Sequence, residues 1–153
     1  RRAHQTAEPL ARVTGLDIVT EDGVAEYDRD SSEYVPVEEL KAANDPRWQA
    51  MLAGEWDNPD VPREVWVQAV VDTIERLVAA HPSQKIAVVC HGGVLSSYLA
   101  WVLGLPDGTN FFYPNYTSIH RVAAARSGER NILTINETYH LRGTGLPTGL
   151  YKG

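Results

Sequence analysis

The run Ile86-Ala87-Val88-Val89-Cys90-His91-Gly92-Gly93-Val94 constrains this chain more than any other. Five apolar residues in an unbroken row read as a strand buried on both faces, as in parallel sheets. The row ends in a histidine and two glycines. Residues 94–103 then continue as an apolar helix, with Gly104 as its stop and Pro106 just beyond. Strand, tight turn and helix in that order build layered α/β folds, and ligands of such folds bind at the carboxyl edge of the sheet. The glycines let backbone approach a ligand, and the helix aims its first N–H groups at the same point, which favours an anion. The segment by itself does not separate this from a bland alternative, in which His91 plugs a strand end and Gly92-Gly93 is only a turn.

The rest of the chain alternates in the same way. Ala7, Leu10, Ala11 and Thr14 fall at helical spacing over residues 2–14, with Gly15 as a stop, and residues 16–20 suit a short strand before the turn Glu21-Asp22-Gly23. Residues 24–36 are acidic and polar without a period and predict a long surface loop. Pro36 opens a short helix, and Asp45-Pro46 opens another carrying Trp48, Met51 and Leu52. Residues 62–80 form the clearest helix: Val65, Ala69 and Ala80 track one side, and Val70, Ile74 and Val78 widen the apolar face. Two β-rich stretches, 118–125 and 131–137, flank Ser127-Gly128-Glu129 and predict a hairpin. The expected architecture is one three-layer α/β/α domain over residues 1–153, with a mostly parallel sheet and residues 24–60 forming a loop and helical insert over the site.

Composition narrows the function. At 153 residues, 43% hydrophobic and 22% charged, the chain has the makings of one packed domain. A net charge of −6 argues against broad nucleic-acid binding, which needs clustered Lys and Arg. An anionic ligand would need a local group of positive charges working against that field. No apolar run approaches the roughly 20 residues of a membrane span, so no membrane partner is expected. Cys90 is the only cysteine, which excludes an internal disulfide and suits a reducing cytoplasm. No metal-ligand spacing is visible, and no cofactor is expected.

Two further segments could carry chemistry. Arg2, in Arg2-Ala3-His4-Gln5-Thr6-Ala7, could present a planar fork to a phosphate from a helix start. Glu26, in Ala25-Glu26-Tyr27-Asp28, could serve as a general acid. Six acids lie between Glu21 and Glu33, so position alone does not choose among them, and Asp28 and Asp22 stay open beside Glu26.

Arg2-Ala3-His4-Gln5-Thr6-Ala7 resembles the second motif of the histidine phosphatase superfamily, Val88-Val89-Cys90-His91-Gly92-Gly93-Val94 resembles its third, and Asn136-Glu137-Thr138-Tyr139-His140-Leu141 resembles its usual ending. The resemblance implies a nucleophilic histidine that attacks a phosphoryl group and forms a phosphohistidine, which water then hydrolyses. By the same likeness Arg2 and His91, with Gly92, would bind the phosphoryl oxygens, and Glu26 would protonate the leaving oxygen and later activate water. The family's nucleophile lies in an Arg-His-Gly motif on its first, central strand, and that triplet occurs nowhere in residues 1–153. His4, His81, His120 and His140 lack its context and are expected to be structural or solvated. With no Met at its start, the sequence is expected to continue upstream of Arg1 and to take its nucleophile from there.

The implied activity is phosphate-monoester hydrolysis on a small phosphorylated substrate, without metal. A mutase is the nearest alternative, although Glu26-Tyr27-Asp28-Arg29-Asp30-Ser31-Ser32 does not resemble the acidic motif of phosphoglycerate mutases. A non-catalytic phosphate-binding module is the alternative from another class. Esterases also use His-Gly-Gly, but no Gly-x-Ser-x-Gly elbow accompanies it here. Tyr27, Arg29, Tyr34, Trp48 and Trp56 read as core of the insert rather than pocket lining. Exposed hairpin edges leave a homo-oligomer possible.

Overall fold

The computed structural model describes residues 1–29, 35, 37–53, 61–106, 109, 111–146 and 148–149. Among the described residues five helices precede a hairpin: α1 (Arg2–Thr14), α2 (Val37–Ala42), α3 (Pro46–Ala53), α4 (Arg63–Ala80) and α5 (Gly92–Val102), then β1 (Ile119–Ala124) and β2 (Arg130–Glu137). Single 3-10 turns lie at Asp22–Val24 and Tyr139–Leu141. Local chemistry explains the boundaries. Gly15 ends α1 in the left-handed conformation, φ 71°, returning its N–H to the Ala11 carbonyl. Asp45 caps α3 by accepting the Arg47 N–H at 2.9 Å ahead of Pro46. The Arg47 side chain also holds the Asp45 carboxyl down at about 2.

The core lies between α4 and α5. Val70, Val71 and Ile74 pack on Val94 and Tyr98, with Val24, Trp66, Cys90 and Val122 around them. On α4 the buried stripe is Val67, Val70, Val71 and Ile74, spaced i, i+3, i+4, i+7. The side expected to begin at Val65 is instead turned outward, with Val65 56% exposed. Leu40 of α2 and Trp48 of α3 are buried, which makes Trp48 core as expected. Tyr34, Trp56 and Pro36 lie outside the described residues.

The hairpin forms where the sequence places it. β1 and β2 pair antiparallel, with irregular register between Ile119, Arg121 and Val122. Among the described residues this pair is the whole sheet, and no parallel pairing is present. Residues 16–20 and 85–90, expected as strands, belong to no ladder; Leu16 is 70%, Val19 75% and Ile86 39% exposed, whereas Val88, Val89 and Cys90 are half-buried. The reason is physical. A helix satisfies its backbone within its own segment, whereas a strand exists only beside a neighbour. The fold of the described residues is therefore mixed α/β, with helices on one hairpin.

Candidate functional site

α5 begins directly on the His-Gly-Gly turn, with His91 at its N-cap in extended backbone, φ −110° and ψ 171°. The first N–H groups of the helix therefore face the end of the 85–90 segment, the place an anion would occupy. A carboxylate already reaches this point. Glu26 Oε2 accepts the Gly93 N–H at 3.1 Å, and Glu26 Oε1 accepts the Tyr27 N–H at 3.0 Å. Gly93 is a requirement of this contact, because a Cβ there would lie 2.3 Å from Glu26 Oε1.

Glu26 is fixed from both sides. Its neighbour Tyr27 donates its hydroxyl to the Val61 carbonyl at 2.8 Å, and the Trp66 indole donates to the Ala25 carbonyl at 2.9 Å. The Tyr27 and Trp66 rings meet at 5.2 Å. Upstream, Arg76 on α4 pairs with Glu21 at 2.6 Å, and Gly23 lies so close to Thr73 that a Cβ would overlap its hydroxyl. Residues 24–36 were expected as a long surface loop; the first part of it, with the turn before it, is a strap bound to α4 across residues 21–27. The three open acids also separate. Asp22 is exposed and paired with Arg29 at 2.9 Å, Asp28 is half-buried on the cavity wall, and Glu26 alone touches the start of α5.

Arg2, Glu26, His91 and Gly92 line one open cavity of about 2090 Å³. That exceeds the roughly 300–1,000 Å³ of small-molecule sites, because the cavity runs the length of residues 81–93 and reaches the hairpin. Direct contact joins Glu26 to the His-Gly-Gly turn. Arg2 shares the cavity from the exposed first turn of α1, a helix with no buried residue. Cys90 sits below Glu26, and burial together with that nearby negative charge pushes its thiol up to about 12. It is an inert packing group.

The remaining histidines have structural surroundings. His4 lies 3.5 Å from Glu8, and His81 is hydrogen-bonded to Gln84 at 3.1 Å. His120 Nδ1 accepts the Asn136 N–H at 3.3 Å, which leaves its Nε2–H for Ser118 Oγ at 3.0 Å; burial lowers its pKa. His140 approaches Thr117 at 3.5 Å.

Sequence reasoning missed two features. Arg63 stands at the first position of α4 on the cavity wall, where only its closeness to the acidic loop could have pointed to it. Glu75, on the core side of α4, accepts the Tyr98 hydroxyl at 2.7 Å and binds Arg130 of β2 through both oxygens. The one available clue was two opposite charges set in apolar stretches. Among the described residues, no helix is long and apolar enough to cross a membrane, and no three His, Cys, Asp or Glu side chains are grouped to hold a metal.

A comparison with curated protein sequences returns no match. The family model described as histidine phosphatase superfamily (branch 1) matches residues 1–138. With two separated motifs and nine-tenths of its length inside that match, the chain belongs to the histidine phosphatase superfamily.

Proposed function

We propose that this domain hydrolyses phosphate monoesters through a phosphohistidine, with the attacking histidine supplied from outside residues 1–153. The observation that carries the reading is the Glu26 carboxylate on the Gly93 N–H, which sets a carboxyl group against the helix start beside His91. In the first step the histidine attacks phosphorus, the bond from phosphorus to the ester oxygen breaks, and Glu26 gives that oxygen its proton. In the second, water attacks the phosphohistidine and passes a proton back to Glu26, releasing phosphate. Arg2, His91 and the Gly92 N–H serve as donors to the phosphoryl oxygens. The chemistry asks for no metal, and an inert Cys90 suits a reducing compartment. In the α/β/α arrangement that goes with this reading, residues 85–90 would be a sheet strand.

The test is p-nitrophenyl phosphate hydrolysis by the native protein in the presence of a chelator. Glu26→Gln should lower kcat by about 10²- to 10⁴-fold and His91→Ala by about 10²- to 10³-fold, while residues 1–153 alone should show no turnover. Turnover by residues 1–153 with a phosphohistidine at one of their own histidines would overturn the proposal. The absence of an Arg-His-Gly triplet favours a second reading, a phosphate-binding module without turnover. That reading predicts phosphate binding by the native protein with no hydrolysis. Transfer from a bisphosphoglycerate to a monophosphoglycerate would instead mark a mutase.

A further inference from the structure

Pro114 packs directly on the anion-facing turn. A Cβ at Gly92 would lie 3.2 Å from Pro114 Cγ, so the chain around Pro114 sits against the glycine whose N–H serves the phosphoryl oxygens in the proposed reaction. Proline has no N–H with which to anchor itself. Its two neighbours are held instead, and by one side chain. The Asn115 N–H donates to Asn136 Oδ1 at 2.7 Å, and Asn136 Nδ2 reaches the Tyr113 carbonyl more loosely at 3.5 Å. A single amide on β2 thus grips the backbone on both sides of Pro114.

An irregularity in the hairpin aims that amide. Ile119 pairs with Glu137 and Arg121 with Thr134, so one residue of β1, His120, faces two of β2, Ile135 and Asn136. Such bulges redirect a side chain. Asn136 takes the left-handed conformation, φ 59°, which asparagine adopts more readily than most residues. Its own N–H donates to His120 Nδ1 at 3.3 Å, His120 Nε2 meets Ser118 Oγ at 3.0 Å, and the Ser118 hydroxyl donates to the Asn115 carbonyl at 2.7 Å. The hydrogen bonds therefore close a ring from Asn115 through Asn136, His120 and Ser118 back to Asn115. The Phe112 ring meets His120 edge-on at 5.4 Å. A left-handed residue other than glycine persists only where its surroundings hold it, and here they point it at the wall of the site.

We propose that Asn136 is a positioning residue for phosphate: by gripping Tyr113 and Asn115 it seats Pro114 on Gly92 and so fixes the aim of the His91-Gly92 turn at the phosphoryl oxygens. The inference rests on the phosphomonoesterase reading of that turn and adds to it a residue of the hairpin. Donors to an oxyanion act through fixed placement, and a small displacement behind them is enough to weaken them.

Calorimetric titration of the native protein with orthophosphate tests this, beside urea unfolding of each variant. Asn136→Gly keeps the left-handed backbone and removes the amide, and should weaken phosphate binding about tenfold. Asn136→Asp, which restores the acceptor for Asn115, should recover most of that loss at high ionic strength, where its added charge is screened. With Pro114→Gly already in place, Asn136→Gly should change the affinity little, because the wall it acts through is gone. Unchanged phosphate affinity in Asn136→Gly, no recovery in Asn136→Asp, or an undiminished loss in the Pro114→Gly background each overturns the proposal. Should Asn136→Gly fail to fold, Ser118→Ala, which opens the same ring at the Asn115 carbonyl, must weaken phosphate binding, and an unchanged affinity there overturns it equally. If orthophosphate fails to bind the unsubstituted protein, the phosphate reading itself falls and this inference with it.

Discussion

One hydrogen bond, from the Gly93 N–H to Glu26, does more than any other to organise the site. It satisfies a helix-start donor with a charged acceptor, and it depends on the absence of a side chain at position 93. Gly93→Ala should improve helix propensity yet lose this bond, for a net cost of about 1 kcal/mol in urea unfolding; unchanged or higher stability would show that the contact contributes nothing. The sequence held the glycine pair and the six acids, but not their pairing. Glu26 and Gly93 are 67 positions apart, and no periodicity links a loop residue to a distant helix start. Asp22, Asp28 and Glu26 could be told apart only once the Tyr27 and Trp66 hydrogen bonds had oriented the strap.

Among the elements, those that close their own hydrogen bonds were the legible ones. The sequence expectation for α1 matches the structure at both ends, α4 and α5 begin one or two residues from where they were expected, and the hairpin follows its glycine turn. Residues 16–20 and 85–90 form no ladder among the described residues, because composition speaks only of burial, while pairing is a property of two segments. What joins the elements that did form is the Glu75, Tyr98 and Arg130 cluster, which ties α4, α5 and β2 together. Burial raises the Glu75 pKa, but the hydrogen bonds from Arg130 and Tyr98 outweigh it and bring the carboxyl below its ordinary 4.5. A carboxyl lowered by folding stabilises the fold above its unfolded pKa, and that contribution is lost as pH falls through the folded value. Glu75→Gln should therefore cost about 2 kcal/mol at neutral pH, a figure reduced for the partial exposure of Glu75. It should also flatten the loss of stability below about pH 4.5 in urea titrations. Equal acid sensitivity in both proteins would remove the cluster from the account.

For the whole molecule, much apolar surface faces outward. Leu16, Val19 and Ile86 are exposed along the residues that form no ladder, and Leu133, 63% exposed, adds Ile119 and Ile135 beside it on the outer face of the hairpin. Scattered apolar residues are ordinary on protein surfaces, but contiguous ones drive association. Residues 1–153 should sediment as concentration-dependent oligomers, and Leu16→Lys with Val19→Lys should shift them toward monomer; a monomer at all concentrations would refute the argument. The mixed α/β class, the helices and the His-Gly-Gly turn at the start of α5 were readable in advance because they are local. The extent of the sheet was not, since it depends on what lies beside each segment.

The bare contact of α1 with the rest of the molecule has a thermodynamic consequence for any phosphate held by Arg2. With no residue of α1 buried among the described residues, the guanidinium rides on a helix that the core does not anchor, so an oxyanion bound there would have to order the helix as well as the side chain. Heat released at the ion pair would then be partly cancelled by lost motion, so affinity would fall short of what the charges alone suggest.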